Sequence, residues 1–247
     1  MVASGQIAVS GSDFWAVGLS RSSWPEIAKA QDIQWLAAPS GCYYADPFWI
    51  ATSAGLYLMV EQYHLGKAKA HISLLSIDAQ TGQLLQARTA LKREFHLSYP
   101  FAFRHQEQLY LLPEANQSGK LTLYRWEGPA DLLSPQGQWQ PVADLLNIAA
   151  VDPTLWFWED HWYLWVGLVG ESARHQSALY VSEDLLGPFR EHPQSPVQHQ
   201  WKGRNGGRPW LDPAGLLWRP CQNRSQSYGG SLSLFQIDRL TPSQYSQ

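Results

Sequence analysis

Two aspartates in this sequence stand directly before a proline that opens an apolar run: Asp46 in "ADPFWI" and Asp152 in "VDPTLWFW". Two glutamates, Glu61 and Glu114, close the apolar run that follows such a proline, in "GLYLMVE" and "QLYLLPE". Carboxylates that crowd one another push their proton affinities apart, which fits one for an acid's role and the other for a base's. Glycosidic bonds are broken by such pairs. The same acids could hold a calcium ion, and an aspartate before proline also serves simply to accept backbone N–H bonds in a turn. Candidates for gripping a substrate stand nearby: Tyr44, His96, Tyr99 and Arg208. A guanidinium at Arg208 suits a sugar carboxylate, phosphate or sulfate, because its fork matches planar oxyanions.

These residues are far apart in the chain, so the fold must bring them together. A repeat supplies the means. The prolines Pro47, Pro100, Pro153 and Pro209 recur at intervals of 53, 53 and 56 residues. Each opens a short strand, as proline can at a strand's first residue. A turn follows, then a second apolar strand, a third with apolar/polar alternation ("AHISLLSI", "KLTLYRW", "SALYVSE", "SLSLFQI") and a weaker fourth. Four short strands in about 50 residues is the signature of a β-propeller blade. The expectation is an all-β, five-bladed propeller forming one domain over residues 1–247, with blades near 44–92, 97–146, 150–198 and 206–240. Residues 13–40 supply the outer strands of a closing blade, which stays incomplete or is finished by a partner chain. One short helix is expected at 24–32.

The first strand of a propeller blade lines the central channel. The residues before the repeat prolines, Asp46, Tyr99, Asp152 and Arg208, are therefore expected at one end of it. The second strand runs back, so Glu61, Glu114, Gly167 and Cys221 return to the same mouth. This predicts a funnel with Asp46, Asp152, Glu114 and Glu61 as its catalytic acids and Tyr99, His96, Arg208 and Tyr44 around the substrate.

Composition narrows the field. Of 247 residues 45% are hydrophobic and 16% charged, as in an ordered globular chain. The net charge of −3, without a basic stripe, argues against nucleic acid and anionic membranes as partners. Thirteen tryptophans fill core and also offer the flat faces that sugar clefts use. The run "LWFWEDHWYLW" reads mainly as a core strand pair. Two cysteines make no disulfide framework and read as reduced thiols, with no histidine legibly paired to either. Eight histidines form no HxH or HxxxH cluster, so neither zinc nor any other cofactor is expected beyond the possible calcium. "GRNGGRPW" lacks the ending of a phosphate loop, and GxSxG is absent. No apolar run nears the ~18 residues of a membrane span, and the N-terminus shows no signal-peptide pattern, so the chain reads as cytoplasmic.

The segments "ADPF", "HLSYPF", "YLLPEANQSGKLTLYRW", "VDPT" and "GGRPW…LWRPCQN…YGGSLSLFQI…LTPSQY" resemble the N-terminal domain family of plant glucosamine inositolphosphorylceramide transferases, across about residues 35–245. The resemblance implies a five-bladed propeller related to glycoside hydrolase families 43, 32 and 68. It implies that Asp46 matches the general base of family 43 and Asp152 the aspartate that orients its partner. Family 43 takes its general acid from a glutamate farther along. Here the matching region reads "NGGRPW", with Arg208, and Glu114 or Glu61 is left to substitute. In the plant proteins the transfer chemistry is expected in a separate domain. Three functions stay open: an enzyme acting on a glycan or sugar conjugate, a non-catalytic module that binds a glycan or nucleotide sugar for a partner enzyme, and a protein-interaction propeller.

Overall fold

A computed structural model describes residues 2–9, 12–22, 32–170, 176–197 and 201–247. The helix expected at 24–32 falls almost wholly outside them. The fold is a β-propeller with four-stranded blades, built from antiparallel sheets. Strands β1 (Val2–Val9), β2 (Ser12–Leu19) and β3 (Gln34–Trp35) form an N-terminal sheet in that order. The first blade contains β4 (Cys42–Thr52), β5 (Gly55–His64), β6 (Lys69–Ile77) and β7 (Leu84–Leu91). The second contains β8 (Ser98–His105), β9 (Gln108–Glu114), β10 (Leu121–Glu127) and β11 (Gln138–Leu146). The third contains β12 (Ala150–Trp158), β13 (His161–Leu168), β14 (Ser177–Ser182) and β15 (Arg190–Glu191). In the fourth, β16 (Arg204–Asn205) and β17 (Trp210–Leu211) both pair with β18 (Leu217–Asn223), which pairs with β19 (Ser231–Ile237). A ribbon of β20 (Arg239–Leu240) and β21 (Tyr245–Ser246) follows.

Four blades are present among the described residues, where the repeat arithmetic led to five. The N-terminal strands expected as the outer half of a closing blade have a different partner. β1 pairs with β2 along its whole length, from Val2 opposite Leu19 to Val9 opposite Ser12. That hairpin satisfies the backbone that a fifth blade was expected to use.

The chain divides into two compact units, residues 1–111 with 124–140 and residues 112–123 with 141–247. In the first, Val17, Leu19 and Leu36 of the N-terminal segment pack on Tyr44, Leu58, Val60, Leu75 and Ile77 of blade one. Tyr57, only 2% exposed, donates from its hydroxyl to Asp131 Oδ1 at 2.9 Å and so ties blade one to the loop after β10. Tyr57→Phe is expected to lose about 1 kcal/mol in urea unfolding, one neutral side-chain hydrogen bond. In the second unit the tryptophan-rich hairpin is core: Tyr163, Trp165 and Leu179 pack with Leu217, Ile237 and Leu240. The turn of that hairpin, Glu159–Asp160, has φ values of 46° and 62°, the left-handed pair of a two-residue hairpin that matches strand twist.

Proline-opened strands carry a shared irregularity. In β4 the register passes from Ala45 opposite Glu61 to Phe48 opposite Met59, so Asp46 and Pro47 together face one residue. In β12 it passes from Val151 opposite Gly167 to Thr154 opposite Trp165, with Asp152 and Pro153 in the same place. Both are β-bulges, where the proline's missing N–H costs the ladder nothing. The residue before each of the first three repeat prolines is left-handed: φ is 48° at Asp46, 42° at Tyr99 and 50° at Asp152.

Candidate functional site

The predicted site residues fall into two sets, one per unit. Asp46, Glu61, His96, Tyr99 and Tyr44 belong to the first, Glu114, Asp152 and Arg208 to the second.

In the first unit the bulge turns Asp46 so that its Oδ2 accepts the backbone N–H of Tyr99 at 3.2 Å. Tyr99 is buried and meets Phe48 edge-on at 5.0 Å. Glu61, directly across from Ala45, lies 3.4 Å from His96 Nε2 through its Oε1. The backbone N–H of Ala70 donates to His96 Nδ1 at 3.2 Å. The neutral ring therefore carries its proton on Nε2 and donates to Glu61. Burial lowers the pKa of His96 below the ordinary histidine value, which keeps it in this neutral form. Tyr63, two residues from Glu61 and so on the same face, meets His96 edge-on at 6.0 Å and stacks on Tyr43 at 4.8 Å and 9°. Both tyrosines are half-buried. Tyr44, expected at the substrate, is core instead, 2% exposed; strand alternation sends it inward and Tyr43 to the opposite face. The pattern of two alternates was readable at Tyr43 and Tyr44, but which phase faced inward was not.

In the second unit Glu114 Oε2 accepts the backbone N–H of Asp152 at 3.0 Å. The Asp152 carboxylate is gripped by Arg204 Nε through its Oδ2, which also accepts from Gln222 Nε2 at 3.2 Å. Arg204 reaches toward Glu114 Oε2 as well, at 3.9 Å. Burial alone would lower the Arg204 pKa, but the charge and hydrogen bond of Asp152, with Glu114 behind them, raise it above the ordinary arginine value. Behind this cluster Asn205 donates through Nδ2 to the carbonyls of Asp152, at 2.6 Å, and Trp165, at 3.0 Å. Arg219, fully buried, donates to Asn205 Oδ1 through Nε at 3.1 Å and lies over the Trp165 ring.

Arg208, the sequence candidate, is exposed. Arg204, not Arg208, lies on a strand paired with β18. Asn205 pairs with Cys221 as Ala45 pairs with Glu61, so Gly206 follows where Asp46 does. Two residues, Gly207 and Arg208, stand between that point and Pro209, where Pro47 follows Asp46 directly. Gly206 is needed there, since a Cβ would come within 2.8 Å of Leu232 and 3.0 Å of the Cys221 backbone. By the same register Arg204 stands where Tyr44 does, a position that the spacing of the prolines does not mark.

Among the described residues no group of three or more His, Cys, Asp or Glu is arranged to hold a metal ion, and no helix is long and apolar enough to cross a membrane.

Four-stranded antiparallel blades define the class: a β-propeller, whose fold is similar to that of family-43 glycoside hydrolases. A thermostable family-43 glycoside hydrolase superposes with a TM-score of 0.61 at 14% identity, covering 98% of this chain and 92% of that one. An exo-β-1,3-galactanase from Clostridium thermocellum gives 0.64 at 11% identity, over 99% and 58% of the two chains. At these identities the likeness is one of fold.

Residues 20–247 match the family described as glucosamine inositolphosphorylceramide transferase 1, N-terminal, and the chain belongs to that family. It is 29% identical to the glucosamine inositolphosphorylceramide transferase 1 of Oryza sativa subsp. japonica over 238 residues, 92% of this chain and 30% of that protein. The Arabidopsis thaliana protein of the same name is also 29% identical, over 83% of this chain and 27% of its own length. The chain thus spans less than a third of the length of these relatives.

Proposed function

We propose that this domain recognises the sugar part of a glycan or sugar conjugate without hydrolysing it. The observation that carries this reading is Arg204. Glycoside hydrolysis needs one carboxyl group that delivers a proton to the leaving oxygen. The partners described for Asp152 and Glu114 are a guanidinium, an amide and a backbone N–H, all donors. Carboxylates gripped in this way are placed to accept from donors of the protein itself, not to donate to a leaving oxygen. The first unit supplies what recognition needs: an acceptor at Glu61, the neutral ring of His96 and the half-buried faces of Tyr43 and Tyr63. Membership of a family named for a sugar transferase, and the fold shared with glycosidases, support the same ligand class.

A second reading, catalysis with Asp46 as base, is favoured by the left-handed backbone at Asp46, Tyr99 and Asp152, since strained pre-proline positions gather at active sites. The two readings part in one experiment. The protein and Asp46→Asn are each incubated with a panel of oligosaccharides, glycolipid head groups and nucleotide sugars, and retained and converted species are read by mass spectrometry. Retention of a panel member without conversion is expected. Glu61→Gln should then weaken that binding about tenfold, the loss of one charge-assisted hydrogen bond. A product made by the wild type alone would replace recognition with catalysis. Retention of nothing would leave a protein-interaction propeller.

A further inference from the structure

Blade one holds a cluster of titratable side chains apart from the residues above. Cys42 and His64 are opposite one another at the open end of β4 and β5, and both are half-buried. Cys42 Sγ lies 3.2 Å from His64 Nδ1. His64 Nε2 lies 3.0 Å from His71 Nδ1 on β6, and the two rings stack at 5.0 Å. His71 Nε2 lies 3.1 Å from Ser73 Oγ and 3.4 Å from Thr89 Oγ1 on β7. Ser73 Oγ donates to Gln62 Oε1 at 2.8 Å, and Gln62 Nε2 reaches back to Cys42 Sγ at 3.7 Å.

With the Gln62 carbonyl accepting from Ser73, one arrangement of protons satisfies every link with neutral rings. The Cys42 thiol donates to His64 Nδ1, His64 Nε2–H to His71 Nδ1, His71 Nε2–H to Ser73, Ser73 to the Gln62 carbonyl, and the Gln62 amide to Cys42 sulfur. Each group gives one bond and takes one, so the ring closes on itself. This is the constellation that activates a nucleophile: a thiol, a base within reach, and a third group that orients the base. Burial, then His64, Lys92 and Lys67 hold the His71 pKa down at about 4, so at neutral pH it offers His64 a lone pair and not a second charge. The other cysteine has the opposite surroundings: Cys221 is fully buried and burial raises its pKa.

We propose that Cys42 is a reactive thiol that exchanges with small disulfides, with His64 as its base and His71 as the residue that positions His64. In the step, His64 Nδ1 takes the Sγ proton, and the Cys42 sulfur bonds one sulfur of the small disulfide. The disulfide's own S–S bond breaks, and its other half leaves with the electron pair as a thiolate, which takes the proton from His64. Cys42 is oxidised to a mixed disulfide and the departing half is reduced to a thiol.

The test incubates the native full chain with oxidised glutathione at neutral pH and follows intact mass and peptide maps. One reducible adduct on Cys42 is expected, formed about tenfold or more faster than in His64→Gln. Alkylation adds a readout that loose packing would not mimic. With iodoacetamide, too, His64→Gln is expected to react about tenfold more slowly than the wild type, while Cys221 reacts alike in both. Should His64→Gln not fold, native and urea-unfolded wild type are compared, and Cys42 is expected to react faster when folded. The proposal fails if no adduct forms, if Cys221 is modified equally, if His64→Gln reacts at the wild-type rate, or if folding slows the thiol.

Discussion

Arg204→Ala is expected to destabilise the protein by about 3–5 kcal/mol, the cost of leaving a buried ion cluster without one of its partners. Asp152 is 3% exposed and Glu114 7%, so neither carboxylate can recover in water what it loses in the protein. Gln222 and the Asp152 N–H still donate to the pair, but neither carries charge. Urea unfolding gives the direct measure: the midpoint falls while the slope is unchanged, as for a loss of stability without a change in exposed surface. A second substitution separates charge from packing. Asp152→Asn in the Arg204→Ala background removes the stranded charge and should regain a good part of the loss. A loss under about 1 kcal/mol in Arg204→Ala would mean that the ion pair is worth no more than a surface one.

Acid should expose the next largest effect. His71 is 7% exposed and faces His64 from β5, Ser73 on β6 and Thr89 on β7, with Lys67 and Lys92 close enough to repel a positive charge. Its pKa in the folded protein is about 4, against 6.5 for an ordinary histidine. Between these values the unfolded chain binds the proton and the folded one does not. Stability from this group is therefore complete above pH 6.5 and is lost as the pH falls toward 4. The loss can reach about 3 kcal/mol, at 1.36 kcal/mol for each pH unit of separation. His71→Gln should flatten the stability profile across this window. An equally steep profile in that variant would assign the acid sensitivity elsewhere.

The repeat was legible because proline and alternation are local signals. Blades one to three follow from Pro47, Pro100 and Pro153; the second strands of blades two and three end at Glu114 and beside Gly167, as the spacing put them, whereas that of blade one runs three residues past Glu61 to His64. The number of blades was not legible. It depends on what β2 pairs with, and "VASGQIAV" gives no hint in composition that it will claim all eight of those positions. The side-chain clusters were half legible. Acids at strand ends announce themselves, whereas the cation that meets them comes from an interrupted strand whose interval is three residues longer. The cysteine–histidine pair was missed for a related reason. Cys42 and His64 are 22 residues apart, and only the hairpin register makes them neighbours.

The pre-proline bulge sets one side chain free of the strand ladder. Its two residues stand outside the ladder, and the second, a proline, has no N–H to lose. The side chain before it can therefore be exchanged without shifting the register of the strands that carry it. The chain has already done so, with aspartate at 46, tyrosine at 99 and aspartate at 152, all in the same backbone conformation. In blades one and three the bulge is in effect a socket with a fixed backbone fitting. What is plugged in still counts: Asp152 sits in the ion cluster with Arg204, so an exchange there would keep the register and lose stability.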